Sequence, residues 1–178
     1  YLSLVSVADD VEARKMIRAA YEIKGPMYIR LGRSPIPVFH SEDYEFEIGK
    51  AETVKEGKDV AIIATGIMVY EAMKAADMLK EKGIYARVIN MPTIKPIDKV
   101  AIVAAAKECG KIVTVEEHNI YGGLGEAVCA VTAEECPVPV KRIGVNDAFG
   151  KSGTADEALA AYGLTDKNIA EKTIEFLK

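Results

Sequence analysis

Residues 59–91 read DVAIIATGIMVYEAMKAADMLKEKGIYARVINM. Asp59-Val-Ala-Ile-Ile-Ala-Thr65 is a nearly continuous apolar run, the pattern of a strand covered on both faces. Val69, Ala72, Met73, Ala76 and Leu79 then recur at i, i+3, i+4 spacing, while Glu71, Lys74 and Asp77 take the opposite side. That predicts an amphipathic helix, which Gly83 stops. Tyr85-Ala-Arg-Val-Ile-Asn-Met91 reads as the next strand. A strand, a helix and a second strand in this order form the unit from which parallel sheets are built.

Toward the C-terminus the alternation continues. Pro96 marks a helix start and predicts a helix over Ile97 to Cys109, closed by Gly110, before the strand Lys111-Ile-Val-Thr-Val-Glu116. The Gly122-Gly-Leu-Gly125 turn leads into a helix from Glu126 to about Glu134, and Val138 to Val145 reads as the last strand. Two helices follow. Thr154 and Glu157 have capping-box spacing for the first, which Gly163 ends; Thr165 caps the second, whose Ile169, Thr173, Ile174 and Leu177 share a face. The expected fold class is α/β: an open, mostly parallel sheet with helices on both faces.

Toward the N-terminus, Leu2 to Val7 reads as a strand, and Asp9 followed by Glu12 opens a helix carrying Ala13, Ile17, Ala20 and Tyr21 on one side. After Gly25, Met27-Tyr-Ile-Arg-Leu31 is another strand. This strand–helix–strand unit is short for an independent fold and is preceded by Tyr1 rather than Met, so the chain is expected to begin inside a larger protein. Pro35, Pro37 and the acidic run Ser41 to Glu47 break both periodicities. The chain therefore divides into a strand–helix–strand remnant (1–38), a linker (39–55) and an α/β domain (56–178). An isolated remnant exposes an unpaired edge and apolar surface unless it docks elsewhere, so self-association is expected.

Composition excludes several classes. A net charge of -4 supplies no positive field for nucleic acid. No apolar run reaches the roughly 18 residues of a membrane span, and no signal peptide opens the chain. Cys109, Cys129 and Cys136 lack metal-ligand spacing and read as reduced thiols, which points to the cytoplasm.

Three polar clusters have chemistry to offer. Gly122-Gly-Leu-Gly125 precedes a helix and either presents N–H groups to a phosphate or only permits a tight turn. Glu116-Glu-His118-Asn119 ends a strand where open α/β sheets place functional groups, and serves either acid–base chemistry or a hydrogen-bonded strand end. Arg30 and Arg33, beside Gly32 and Ser34, either clamp a phosphate or pair with local acids. His40 falls in the linker and is expected to be solvated.

Val7-Ala-Asp-Asp-Val-Glu12 with Gly25-Pro-Met-Tyr-Ile-Arg-Leu-Gly-Arg33 resembles the end of the pyrimidine-binding domain of transketolases, with Val7 in place of a proline. Ala64-Thr-Gly66, Met91-Pro-Thr-Ile-Lys-Pro-Ile-Asp98, Val115-Glu-Glu-His118, Gly122 to Val128 and Phe149-Gly-Lys-Ser-Gly153 resemble the C-terminal domain of that family, above all of transketolases encoded as two chains. The E1 beta subunits of 2-oxo acid dehydrogenases and deoxyxylulose-phosphate synthase share this domain, as a second reading. A non-catalytic anion- or partner-binding module built on Glu116 to Gly125 is a third.

The resemblance implies a transferase of the pentose phosphate pathway that moves a two-carbon ketol unit between sugar phosphates with thiamine diphosphate and Mg²⁺. It places the diphosphate and metal sites on a separate N-terminal domain, and the cofactor-activating glutamate upstream of Tyr1. This chain alone would then bind neither cofactor nor metal, hold no catalytic residue and be inactive. Its partners would be the missing diphosphate-binding and pyrimidine-binding parts and further copies of itself in a dimer or other homo-oligomer. Residues 1–38 correspond to the end of the pyrimidine-binding domain, and Arg33 matches an arginine that binds the phosphate of the sugar substrate.

Overall fold

The computed structural model describes residues 2–33 and 35–178; Tyr1 and Ser34 lie outside the described residues. The elements run β1 (Ser3–Ser6), α1 (Asp10–Glu22), β2 (Met27–Arg30), β3 (Glu52–Lys55), β4 (Val60–Ala64), α2 (Met68–Lys80), β5 (Ala86–Asn90), β6 (Thr93–Lys95), α3 (Lys99–Cys109), β7 (Ile112–Asn119), α4 (Leu124–Glu135), β8 (Val140–Val145), α5 (Ala155–Ala161) and α6 (Asp166–Leu177).

The main sheet has the order β3-β5-β4-β7-β8. Its strands are parallel except β3, which pairs antiparallel with β5 along the edge. Because side chains alternate across a strand, Val60, Ile62 and Ala64 join one core with α2 and α6, while Ala61 and Ile63 join the other with α3 and α4. Every residue of β4 is buried, as the apolar run required. The α/β sheet with helices on both faces is thus the fold of this domain.

The ends of the helices follow local chemistry. Thr154 and Glu157 form the full capping box of α5, and Thr165 caps α6 by accepting from Asn168 N–H. The helix read from Ile97 instead starts at Lys99, because Asp98 accepts from Ala101 N–H and acts as its cap.

Two short strands depart from the sequence reading. β3 lies in the stretch read as linker, and β6 is a three-residue strand between Pro92 and Pro96. β6 pairs antiparallel with β1, which pairs in parallel with β2, giving a second sheet of order β2-β1-β6. The strand–helix–strand unit therefore docks on a strand contributed by the larger domain. β2 remains an edge, and Leu2, Ile17, Tyr21, Tyr28 and Leu31 stay exposed, Tyr21 at 87%.

Candidate functional site

The carboxyl ends of β1, β2, β4 and β7 face one another across the junction of the two sheets. Gly66, at φ +60°, lets the turn after β4 approach β1 closely: a Cβ there would lie 2.9 Å from Ser6 Oγ. Thr65 Oγ1 and Gly66 N–H both donate to Ser6 O, and Ser6 N–H donates to Pro92 O. These bonds hold open two adjoining clefts. One, of about 310 Å³, is lined by Tyr28, Arg30, Glu116, Glu117 and His118 among others; the second, of about 220 Å³, runs past Ser6, Arg30, Gly32, Arg33 and Thr65.

Arg30 and Arg33 part company here. Arg30 Nη2 donates to Glu117 O at 2.6 Å and sits 3.8 Å from its carboxylate, so Arg30 staples β2 to β7. Arg33 is exposed and has no salt bridge among the described residues. It lines both the 220 Å³ cleft and a wider one of about 590 Å³ that Ile67, Tyr70, Glu117, Lys151 and Thr154 complete. A planar guanidinium left unpaired at the rim of a cleft is suited to bidentate capture of a phosphate or carboxylate.

The glycine-rich turn has a different occupant. Glu116 is buried, and its two oxygens accept from Leu124 N–H at 2.7 Å and Gly125 N–H at 2.8 Å, so the strand end caps α4 from across the turn. Gly122 N–H donates to Glu126. The N–H groups that would cradle an anion are thus already engaged by carboxylates of the chain itself. Burial raises the Glu116 pKa against the lowering effect of these two bonds. His118 is exposed and makes its ring contact with Asn119 O rather than with Glu116.

A polar cluster that the sequence reading missed lies behind the Arg33 segment. Asp9 Oδ1 accepts from Glu12 N–H, capping α1, and Oδ2 accepts from Phe39 and His40 N–H. Glu12, fully buried, accepts from Ala8 N–H, Tyr44 O–H and Asn90 Nδ2. His40, expected to be solvated, has a side chain only 2% exposed, with Nε2 2.8 Å from Glu52 and Nδ1 2.9 Å from Asp9. The Asp9 contact is an ion-pair approach off the line of a good hydrogen bond. Burial works against every charge here. It pushes Glu12 upward, whereas for Asp9 the hydrogen bonds from Glu12, His40 and Phe39 prevail and lower the pKa. The signals in sequence were the Val7–Glu12 segment with its Asp9–Glu12 spacing and a histidine just before the acidic run Ser41 to Glu47.

Among the described residues no three His, Cys, Asp or Glu side chains converge to hold a metal ion. With the N–H groups of the glycine turn engaged as well, the residues present do not fit a metal-bound diphosphate.

A profile of the family described as "Transketolase, C-terminal domain" matches residues 49–169. The chain is 44% identical, over 99% of its length, to one of the subunits of the apulose-4-phosphate transketolase of Phocaeicola vulgatus, and covers 57% of that subunit. It is 39% identical over 97% of its length to 1-deoxy-D-xylulose-5-phosphate synthase of Trichormus variabilis, covering 28% of that protein. Among solved structures, one titled "Split gene transketolase, inactive beta4 tetramer" superposes with a TM-score of 0.94 at 45% identity, covering 99% of this chain and 57% of that one. The chain spans about half the length of the transketolase subunits it matches.

Proposed function

The chain belongs to the transketolase C-terminal domain family, and we propose that it is the C-terminal section of one component of a split, thiamine-diphosphate-dependent transketolase acting in the cytoplasm. In that enzyme a two-carbon ketol unit moves between sugar phosphates, and thiamine diphosphate supplies the carbanion chemistry. Residues 56–178 serve assembly of the oligomer, and Arg33 binds the phosphate of the sugar. Mg²⁺ and cofactor are held by the complementary parts. The reading is carried by one observation: a guanidinium beyond the carboxyl end of β2, without a salt bridge among the described residues, opening into a cleft where two sheets meet. Three free cysteines support a reducing compartment.

The test is an assay of ketol transfer by this chain alone and after assembly with the complementary sections of the enzyme. No turnover is expected from the chain alone, and turnover is expected on assembly. Arg33→Gln should raise KM for the sugar phosphate about ten- to a hundredfold, the worth of one charge-assisted bidentate contact of roughly 1.5–3 kcal/mol. Turnover by the isolated chain would overturn the proposal. The likeness to 1-deoxy-D-xylulose-5-phosphate synthase supports a second reading. Formation of 1-deoxy-D-xylulose 5-phosphate by the assembled enzyme, without ketol transfer between sugars, would favour it.

A further inference from the structure

The buried cluster around His40 has no part in the proposed activity, yet it is where three separate stretches of chain meet. Asp9 and Glu12 belong to the start of α1, Phe39, His40 and Tyr44 to the crossing segment, and Glu52 to β3 of the main sheet. The imidazole lies between the rings of Phe39 and Tyr44, with centroids 4.2 and 4.1 Å away, which leaves it little freedom to turn. We propose that His40 is a positioning residue: lodged as a bridging cation between Asp9 and Glu52, it holds the Arg33 end of β2 in place against the main sheet and so sets the affinity of the cleft for a sugar phosphate. The proposal rests on the phosphate reading of Arg33.

The path from one group to the other is short. Residues 35–37 return from β2 through two prolines, with Ile36 beside Gly32 and Ile67, and the segment is then tied down by the Phe39 and His40 N–H groups on Asp9. That tie thus lies a few residues beyond Ile36, which packs near Gly32. The charged and titratable groups facing His40 are Asp9 and Glu12 from α1, Asp43 and Tyr44 from its own segment and Glu52 from β3; among the described residues α2 adds Met73, which is uncharged, to the groove beside it. Several carboxylates thus surround one imidazole. Burial disfavours its cation, but Glu52 and Asp9 outweigh burial and raise the His40 pKa. Without the cation, Asp9 and Glu52 face each other through a neutral ring, and the tie between the two sheets loses its charge.

The experiment has two arms. In the chain alone, ¹⁵N chemical shifts of His40 followed against pH should report both ring nitrogens protonated just below the ordinary midpoint of 6.5; a neutral tautomer there overturns the proposal. In the assembled enzyme, KM is compared for D-glyceraldehyde 3-phosphate and D-glyceraldehyde as acceptors. His40→Gln should raise KM for the phosphorylated acceptor about tenfold or more, as expected for a displaced binding group, while kcat and KM for D-glyceraldehyde stay near wild type. Wild type should lose the same preference as pH rises through the His40 titration, and the variant should show no such pH dependence. Glu52→Gln, at a half-exposed side chain, should shift KM in the same direction by a smaller factor. If both variants keep the wild-type preference while Arg33→Gln destroys it, His40 is structural only. If Arg33→Gln also keeps it, the phosphate reading of Arg33 is what fails. An assembled enzyme that transfers a ketol unit to neither acceptor takes both readings down.

Discussion

Glu116 and Glu12 illustrate how a carboxylate can be buried: each is surrounded by donors, which offset part of the cost of leaving water at the atoms that carry the charge, burial still raising both pKa values. For Glu116 the arrangement depends on a missing side chain. A Cβ on Gly123 would lie 2.0 Å from Glu116 Oε2. Gly123→Ala must therefore expel the carboxylate from the end of α4, leaving two N–H groups uncapped, at a cost of about 2–3 kcal/mol. Urea denaturation checks this, with Phe149→Ala as control: that ring is 99% exposed, and its removal should change stability by no more than about 0.5 kcal/mol. At this scale the sequence is half legible. The Asp9–Glu12 spacing announces a helix cap, and Asp9 does cap α1. The Glu12 side chain nevertheless reaches Ala8, Tyr44 and Asn90 rather than closing a box on Asp9, because distant donors converge on it. Likewise Glu116 and the glycine turn both stand out in the sequence, but that each satisfies the other is invisible in a string of residues.

The long helices and the central strands are readable, since their apolar periods are sustained over many residues. β3 and β6 are not. Each has only three or four residues, β6 is bounded by prolines, and such strands exist because a partner strand offers its backbone. The segment between β2 and β3 misleads for a related reason. Its polar composition suggests solvent, yet its acids and histidine are the means by which it adheres to α1 and β3. The raised pKa of His40 has a consequence for this element. Its cation contributes stability in full below the ordinary value of 6.5, and the contribution is lost as pH rises through the elevated native value. Melting temperature of the wild type should accordingly fall, as pH rises above 6.5 through that native value, by more than that of His40→Gln, measured in parallel by calorimetry. Equal slopes in the two proteins would refute the ion bridge.

For the molecule as a whole, the smaller sheet poses the question of assembly. β2 is a free edge of four residues, and beside it Ile17, Tyr21, Tyr28 and Leu31 are exposed. Edges of this kind recruit further strands or further copies, so sedimentation velocity of the chain alone should show mass increasing with concentration. Strict monomer behaviour would remove the case for self-association, and addition of the complementary sections should suppress it if they cover this surface. What the sequence determined by itself was the α/β class, the order of the principal elements and the family likeness, because these are written in local period, turn residues and contiguous motifs. The tertiary structure decided which arginine is available, which glycine turn is already filled and which histidine is buried. Those outcomes depend on groups separated by dozens of residues: Arg30 is drawn to Glu117, Glu12 to Asn90 and His40 to Asp9. Each such pairing costs the desolvation of its members unless geometry brings the partner within hydrogen-bond reach, and only the folded chain specifies that geometry.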